Sequence, residues 1–307
     1  MRSVTRDLYA VWQFAKRNFL LYFRDRMTVF LSVLSPLIVL LLYVFFLGDL
    51  QVDAVKSAIP TGFSVDDSVI TAFVDSWLIA GIMCVSCLTV ALNSMAVMIR
   101  DRERSTYKDL VSAPVKPSVL TLGYFLSFWV TTFVICFGVL LIGVAYLATR
   151  GAFFLTAGDF FECVGILVVS VTNSTLVMML IMSLIKSTSA SGAFSGIFSA
   201  VIGFLVGAYM PISTFPKAIR YISAVIPGSS IGGLFRTALM RGTLQELSQG
   251  MPDAFSEGMR TSFSMQLDFF DLTLKTDFMW IYLAVGAVVF FGLNVLVGAL
   301  KRRRSGL

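Results

Sequence analysis

The sequence contains no histidine, and only 14% of its 307 residues are charged. Without histidine the chain cannot form Ser-His-Asp or Cys-His catalytic groups or the common histidine metal sites. It also lacks the G-x-x-x-x-G-K-S/T loop that holds the phosphates of ATP in many ATPases. Because a soluble domain usually carries about 25% charged residues, the low charge argues against a soluble fold. We therefore expect no catalytic site, and no ATP site of this kind, in the chain.

Cysteine is scarce as well, with four residues. Cys84, Cys87 and Cys136 lie inside long apolar runs, and Cys163 lies at the start of another. The C-x-x-C spacing of Cys84 and Cys87 occurs in zinc and redox sites, but here it falls on a predicted membrane helix and not at a turn. We interpret the cysteines as small packing residues, with a redox or metal role as the alternative.

Apolar residues are abundant and make up 57% of the chain. They form long runs, and a run of about 18 or more residues can cross a bilayer core of roughly 30 Å. Each such run is expected to be helical, because lipid offers no partner for an exposed backbone amide. The six predicted membrane spans are residues 27–47, 77–99, 119–147, 164–185, 190–210 and 278–300.

None of these six runs contains Asp, Glu, Lys or Arg. A pump driven by protons or ions normally needs ionisable groups within the bilayer. Sodium coupling through carbonyl and hydroxyl oxygens stays open as an alternative. If the chain carries out active transport, we expect the energy to come from another polypeptide.

The basic residues lie mostly on one side of the predicted spans. Six precede the first span, five follow the second, one follows the fourth and four follow the sixth, which together make 16 of the 24. The loop after the first span is acidic instead. The positive-inside rule therefore places both termini and the second and fourth connections in the cytoplasm. Since topology accounts for the positive charge, we expect no nucleic-acid partner.

Residues 6–26 predict an amphipathic helix that lies in the membrane interface before the first span. An ordinary basic flank of that span is the alternative. The predicted apolar face consists of Leu8, Val11, Trp12, Ala15, Phe19, Tyr22 and Phe23.

The connection after the second span, residues 100–118, is short and dense in charges of both signs. It is compatible with a helix up to Leu110, and Pro114 and Pro117 end that helix. A simple membrane anchor needs basic residues only. The mixed signs therefore favour a surface that docks onto a soluble partner, with a solvated loop as the alternative.

Small residues recur along one face of the fifth predicted span, at Gly192, Gly196, Ser199, Gly203 and Gly207. Small side chains let membrane helices approach closely. Two interpretations stay open, namely packing within the chain, and a dimer contact or a wall of a transport path.

The outer segment, residues 211–277, alternates apolar pieces with prolines and glycines. Residues 215–226 and 229–240 are each too short to cross a bilayer, so they predict re-entrant or interfacial helices. The more polar residues 242–277 predict a small external cap.

These features, taken in order along essentially the whole chain, resemble the ABC-2 type permeases, which are the membrane subunits of ABC exporters. The resemblance rests on the amphipathic first helix, the six spans and two motifs. One motif is E-R-x-x-x-x-x-L-x-x-x-P from Glu103 to Pro114. The other is P-x-x-x-x-P from Pro211 to Pro216, followed by Pro227.

The resemblance implies an all-α integral membrane protein with six transmembrane helices, an N-terminal interfacial helix, a short cytoplasmic coupling helix and re-entrant helices after the fifth span. A separate ABC ATPase, in two copies, would bind ATP and Mg²⁺ and dock on the coupling helix, while this chain would hold no cofactor. A second permease, identical or paralogous, would complete the transporter in the cell membrane. The implied ATPase contacts are Glu103, Arg104, Thr106, Tyr107, Lys108 and Leu110.

The resemblance also implies a substrate path between the second and fifth spans of the two permeases. The candidate path residues are Thr89, Asn93, Ser94, Ser195 and Ser199. The candidate helix-packing or dimer residues are Gly192, Gly196, Gly203 and Gly207. Apolar spans with few polar groups suit an amphipathic or lipid-like cargo such as a drug, antibiotic, peptide or lipid. The alternatives are a passive channel or an ion-coupled transporter without an ATPase, and an intramembrane enzyme.

Overall fold

The structure is a computed structural model that describes residues 2–104, 106, 116–150, 153–269 and 272–304. Within those residues the chain is almost entirely helical, and six helices are long and apolar enough to cross a membrane. The one sheet in the described part of the chain is a short two-stranded hairpin. The predicted all-α integral membrane fold is therefore confirmed.

The helices in chain order are α1 (Arg2–Arg24), α2 (Arg26–Leu42), α3 (Gly48–Ala58), α4 (Asp67–Ser94), α5 (Ala96–Glu103), α6 (Pro117–Thr149), α7 (Ala157–Met182), α8 (Thr188–Leu205), α9 (Lys217–Val225), α10 (Pro227–Leu239), α11 (Arg241–Leu247), α12 (Asp253–Ser262) and α13 (Thr276–Arg304). A π-helical segment (Tyr43–Leu47) joins α2 to α3, and a 3₁₀ turn (Ile212–Thr214) precedes α9. The antiparallel strands β1 (Leu267–Phe269) and β2 (Leu272–Leu274) precede α13.

We number the membrane helices as spans 1 to 6. They are Arg26–Ala58, Asp67–Glu103, Ser118–Thr149, Ala157–Met182, Thr188–Leu205 and Thr276–Gly298. Each overlaps one predicted run. Span 5 ends at Leu205, whereas its predicted run continues to residue 210, because Gly207 adopts a positive φ of 70° that stops the helix.

Local capping explains where several spans begin. Asp25 accepts a hydrogen bond from the Thr28 amide at 3.1 Å at the start of span 1. Thr156 and Asp159 form a reciprocal capping box at the start of span 4, and Ser187 caps span 5. Each cap satisfies an amide that has no carbonyl partner in the first turn of the helix.

Span 2 lies at the centre of the bundle. It packs against spans 1, 3, 4 and 5 and against α10. Trp77, Phe73 and Met83 on this span have almost no exposed surface. Spans 5 and 6 lie at the periphery and leave most of their apolar side chains exposed.

Helix α1 packs along span 3, and its predicted apolar face is divided between two environments. Ala15 and Tyr22 are buried, whereas Leu8 and Trp12 are more than half exposed. Buried apolar side chains hold the helix on the bundle. The exposed ones leave an apolar strip beside the basic residues of α1, as an interfacial helix requires.

The outer segment contains two short helices, α9 and α10, that follow Pro216 and Pro227. Neither is long enough to cross a bilayer. Helix α10 is buried against spans 2, 4 and 6, whereas α9 exposes Ile222 and Val225. Helices α11 and α12 and the strand hairpin complete this end of the molecule.

Candidate functional site

Four consecutive charged residues, Arg100 to Glu103, form the last turn of span 2. They lie at the end of the molecule that also carries α1, which we call the basic end. The opposite end, which carries α3 and α10, we call the acidic end. Each of the four side chains contacts a different part of the bundle, and the basic end is therefore described residue by residue.

Arg100 donates a hydrogen bond from its guanidinium to the Asp25 carboxylate at 2.7 Å. Asp25 also caps span 1 through the Thr28 amide and hydroxyl. Partial burial acts to raise the pKa of Asp25, but the hydrogen bonds from Thr28 and Arg100 outweigh it and lower the pKa below its ordinary value. This pair ties the end of span 2 to the start of span 1.

Asp101 is a buried carboxylate that joins three helices. Both terminal nitrogens of Arg17, on α1, donate to its two oxygens at 2.9 Å. The Tyr124 hydroxyl, on span 3, donates to it at 2.9 Å. The hydrogen bond to Asp101 raises the pKa of Arg17. A bidentate guanidinium–carboxylate pair fixes distance and orientation together, so α1, span 2 and span 3 meet at this carboxylate in one defined geometry.

Arg102 and Glu103 continue the pattern toward spans 4 and 5. Arg102 donates to the carbonyls of Met182 and Ser183, at 3.3 and 3.2 Å, where span 4 ends. A cation is favourable at a helix C-terminus, whose last carbonyls lack amide partners. The Thr188 hydroxyl, at the start of span 5, donates to the Glu103 carboxylate at 2.6 Å. One turn of span 2 thus contacts α1 and spans 1, 3, 4 and 5.

A groove of about 680 Å³ runs between spans 1, 2 and 5. Its lining is mostly apolar, and Arg100 at the basic end is the one charged residue that lines it in the described part of the chain. The hydroxyls of Ser195 and Ser199 form no hydrogen bond with any described residue. The polar side chains of the lining are Thr28, Asn93, Thr188, Ser191, Ser195 and Ser199.

A family model for ABC-2 type transporters matches residues 9–240, about three quarters of the chain. The matched region runs from α1 to the end of α10 and contains both the charged turn and the groove. This chain belongs to the ABC-2 type transporter family. No curated protein matches its sequence, so membership rests on the family model. The chain is thus a multi-pass ABC permease subunit, and permeases of this family generally work with an ATPase subunit.

The predicted ATPase contacts of the permease lie at and beyond the charged turn. Glu103 and Arg104 are exposed, and Thr106 is half-buried. Tyr107, Lys108 and Leu110 lie outside the described residues. The mixed charges of residues 100–118 predict a docking surface, but the first four of these residues each have a partner within the chain. Docking therefore stays a prediction for the exposed residues that follow Arg102.

The predicted path residues separate into two groups. Asn93, Ser195 and Ser199 line the groove together. Thr89 and Ser94 do not, because they face the core and are fully or almost fully buried. Their hydroxyls donate to carbonyls of their own helix, at 2.9 and 2.7 Å. A place on span 2 therefore does not by itself give a side chain access to the groove.

The four predicted glycines divide in the same way. Gly192 and Gly196 line the groove, and a Cβ added at either would meet no atom within 4 Å. Gly203 packs against the Tyr209 ring inside the chain, and Gly207 makes the turn that ends span 5. Packing within the chain thus accounts for the last two. The first two form an open strip on which another helix or a cargo molecule would fit.

The acidic end carries a charged cluster around Asp75, a residue that the predicted second span, 77–99, does not include. The carboxylate is 1% exposed and accepts from the Tyr43 hydroxyl at 2.9 Å and from the Arg150 guanidinium at 2.9 Å. The Tyr146 hydroxyl lies 3.4 Å away. The hydrogen bond to Asp75 raises the pKa of Arg150. One carboxylate, Asp75, therefore joins spans 1, 2 and 3 at the acidic end. At the basic end Asp101 joins α1 to spans 2 and 3, and Asp25 ties span 1 to span 2.

Proposed function

We propose that this permease is the membrane subunit of an ATP-driven exporter, and that a separate ATPase docks on Glu103, at the end of the charged turn, and on the residues that follow it. The observation that carries the proposal is the connectivity of that turn. A displacement of the exposed Glu103 and Arg104 acts directly on the residues that bind α1 and spans 1, 3, 4 and 5. An ATPase motion at this point would therefore reach the whole bundle as a rigid-body shift.

The charge distribution supports energy from a partner over coupling to an ion gradient. Span 2 contains two buried carboxylates, Asp75 and Asp101, and each pairs with an arginine. A carboxylate that is held by a guanidinium and by a tyrosine hydroxyl is committed to structure, whereas a proton carrier must exchange its partner during the cycle. ATP and Mg²⁺ would be bound by the ATPase and not by this chain.

The groove supports an amphipathic or lipid-like cargo. Its volume lies within the roughly 300–1,000 Å³ that is usual for small-molecule sites. Apolar walls suit the body of such a molecule, and the free hydroxyls of Ser195 and Ser199 suit a polar group on it. Since the groove is open on one side of the chain, a second permease, identical or paralogous, would face it and complete the path. Two ATPase subunits would accompany the two permeases.

The docking proposal is tested by co-purification. The permease carries an affinity tag and is co-expressed with the ABC ATPase encoded beside it. We compare wild type with a Glu103→Ala, Arg104→Ala double variant. The control is a Lys217→Ala, Glu246→Ala double variant, which removes one exposed charge of each sign at the acidic end.

We expect the ATPase to co-purify with the wild type and with the control. The amount recovered with the Glu103, Arg104 variant should be about tenfold lower, which corresponds to about 1.4 kcal/mol of binding free energy. Equal recovery with all three proteins would place the docking surface elsewhere. A folded wild-type permease that captures no ATPase would favour a passive channel or an ion-coupled transporter.

The cargo proposal is tested in proteoliposomes that contain the purified permease–ATPase complex. A fluorescent lipid analogue and a hydrophilic dye of similar mass are compared for ATP-dependent movement. We expect the lipid analogue to move, and a Gly196→Leu variant, which fills the groove, to slow it. ATP-dependent movement of the hydrophilic dye alone would contradict the amphipathic assignment.

A further inference from the structure

Arg236, on α10, is a cation with no exposed surface. No carboxylate of the described residues pairs with it. A buried guanidinium without a counter-charge is costly, so its surroundings must supply a substitute. This residue lies in the outer segment, away from the charged turn and from the residues proposed to bind cargo.

Backbone carbonyls take the place of the missing carboxylate. One terminal nitrogen of Arg236 donates to the carbonyls of Gly207 and Val206, at 2.6 and 3.1 Å. The other donates to the Ser264 carbonyl at 3.2 Å. The guanidinium also lies over the Trp77 ring of span 2, 5.9 Å from its centroid. Its Nε has no hydrogen-bond partner among the described residues.

Two of these carbonyls belong to the end of span 5. The helix closes with paired bonds from the Gly207 amide to the Phe204 carbonyl, at 3.0 Å, and from the Ala208 amide to the Gly203 carbonyl, at 2.8 Å. This arrangement leaves the Val206 and Gly207 carbonyls without amide partners. A helix C-terminus carries a partial negative charge. The end of span 5 therefore supplies both acceptors and counter-charge to Arg236.

Ser264 holds the same turn from its other side. Its hydroxyl oxygen accepts from the Ile212 amide at 2.9 Å, while its carbonyl accepts from Arg236. Ser264 has a φ of 57°, in the left-handed region that few residues other than glycine adopt. The surrounding contacts must impose this conformation on it. Residues 206–212 are thus fixed at both ends by α10 and by the turn after α12.

The turn bears directly on the groove. Tyr209 is part of the turn and packs on Phe204, with ring centroids 4.6 Å apart. Both rings line the groove at its acidic end. On the opposite side Ala208 lies close to Gly81 of span 2, where an added Cβ would come within 3.2 Å of the Ala208 Cα. A shift of residues 206–208 would therefore move the aromatic pair that lines this end.

We propose that Arg236 is the positioning residue that fixes the acidic end of span 5, and with it the Phe204–Tyr209 pair that lines the groove there. Movement of span 5 at this end must carry α10 with it, because separation would leave a buried cation without its carbonyls. Span 5 and α10 thus move as one unit, and the groove opens or closes at this end only with the outer segment. This inference concerns the permease alone and is independent of any ATPase.

Hydrogen–deuterium exchange of the purified wild-type permease in detergent gives the first test. We expect the hydrogen-bonded amides of residues 206–209, of Ile212 and of α10 to exchange together and slowly. Exchange of the turn at least about tenfold faster than that of α10 would show that Arg236 does not hold it, and would overturn the proposal without any variant.

Three substitutions of Arg236 then separate charge from bulk. Arg236→Met should raise the exchange rate of the amides of residues 206–209 and Ile212 about tenfold and leave that of span 4 unchanged. Amide exchange in the turn should be slower in Arg236→Lys, which keeps the charge, than in Arg236→Gln, which keeps only neutral hydrogen-bond donors. Arg241→Met removes a half-exposed arginine on the next helix, paired with Asp159 and Glu162, and should leave the turn as in wild type. A folded Arg236→Met protein with an unchanged turn would overturn the proposal.

Discussion

Span 2 and span 5 are both long apolar helices, yet they occupy opposite environments. In the most apolar stretch of each, 89% of the residues of span 2 are buried and 17% of those of span 5. Lipid is as apolar as a leucine side chain, so hydrophobicity does not draw a membrane helix to the centre of a bundle. Polar contacts at the helix ends and the size of the side chains decide its place instead.

The two spans differ most in what their polar groups do. The buried hydroxyls of Ser76, Ser86 and Thr89 on span 2 donate to the backbone of their own helix. The hydroxyls of Ser195 and Ser199 on span 5 have no partner in the described chain. These hydroxyls of span 2 are thus satisfied within their own helix, whereas Ser195 and Ser199 of span 5 present free hydroxyls to the groove. We infer that span 2 holds the bundle together and span 5 meets cargo or a second permease.

The largest expected loss of stability comes from removing the Asp75 carboxylate at the acidic end of span 2. Asp75→Ala removes the acceptor of Tyr43 and Arg150 from a fully buried position. We expect a loss of about 3 kcal/mol of unfolding free energy, because a buried hydroxyl and one side of an ion pair lose their partner. Thermal unfolding in detergent measures it. Asp53→Ala, at an exposed position on α3, is the control, and equal stability of the two variants would contradict the role given to Asp75.

Neutralising Asp101 at the basic end of span 2 should cost somewhat less stability. Asp101→Asn keeps one acceptor oxygen but places an amide group against the Arg17 guanidinium. We expect a loss of about 2 kcal/mol and faster amide exchange in α1, which would lose its anchor on the bundle. Glu103→Gln, two residues away and exposed, is the matched control. If α1 exchanges at the wild-type rate in Asp101→Asn, contacts such as Phe14 on Tyr124 hold it without the ion pair.

Much of this architecture could be predicted from the sequence. Runs of apolar residues predicted six spans, because a run of this length crosses a bilayer and must be helical there. Proline and glycine patterns predicted the break after span 5. Charge patterns were less informative, because the signs of residues 100–103 show that partners exist but not whether they are internal. Their pairing with Asp25, Arg17 and Thr188 depends on distances across the bundle.

Only part of the candidate site could be predicted, because contacts between helices depend on distances that local patterns do not show. Helical spacing correctly placed Gly192, Gly196 and Ser199 on one face, but it did not show that Gly203 turns inward. Arg236 is a single charge in the apolar piece 229–240, and the sequence pattern gave it no role. Its importance lies in the carbonyls left free at the end of span 5, which no local pattern reveals.

Two glycines on span 5 sharpen the comparison within a single helix. Gly203→Ala places a Cβ 2.9 Å from the Tyr209 hydroxyl and nearer still to the ring. We expect it to cost about 2 kcal/mol through overpacking. Gly196→Ala meets no neighbouring atom in the chain and should stabilise it by up to about 1 kcal/mol through helix propensity. Unfolding of both variants in detergent measures the difference.

The outcome for Gly196 also reports on the open strip. If the Gly196→Ala monomer is stable but its dimer, measured by light scattering, is weakened, the strip contacts a second permease. Equal losses of stability in the two glycine variants would show that both positions pack within the chain, and the contrast drawn between the two ends of span 5 would be wrong.

The smallest expected effect is a pH dependence at the junction of spans 1 and 2. The pKa of Asp25 is lowered in the folded permease, so its contribution is present above the unfolded pKa and is lost as the pH falls through the folded one. Both Asp25 and Arg100 are partly exposed, which limits the contribution to about 0.5–1 kcal/mol. Melting temperatures of wild type and Asp25→Asn should therefore differ at pH 7. They should begin to converge below about pH 4, near the unfolded pKa of an aspartate, and coincide once the pH lies below the folded pKa. A difference that persists unchanged at pH 3 would show that the effect does not come from the charge of Asp25; the Thr28 cap would not explain it either, because an amide oxygen caps a helix as well as a carboxylate does.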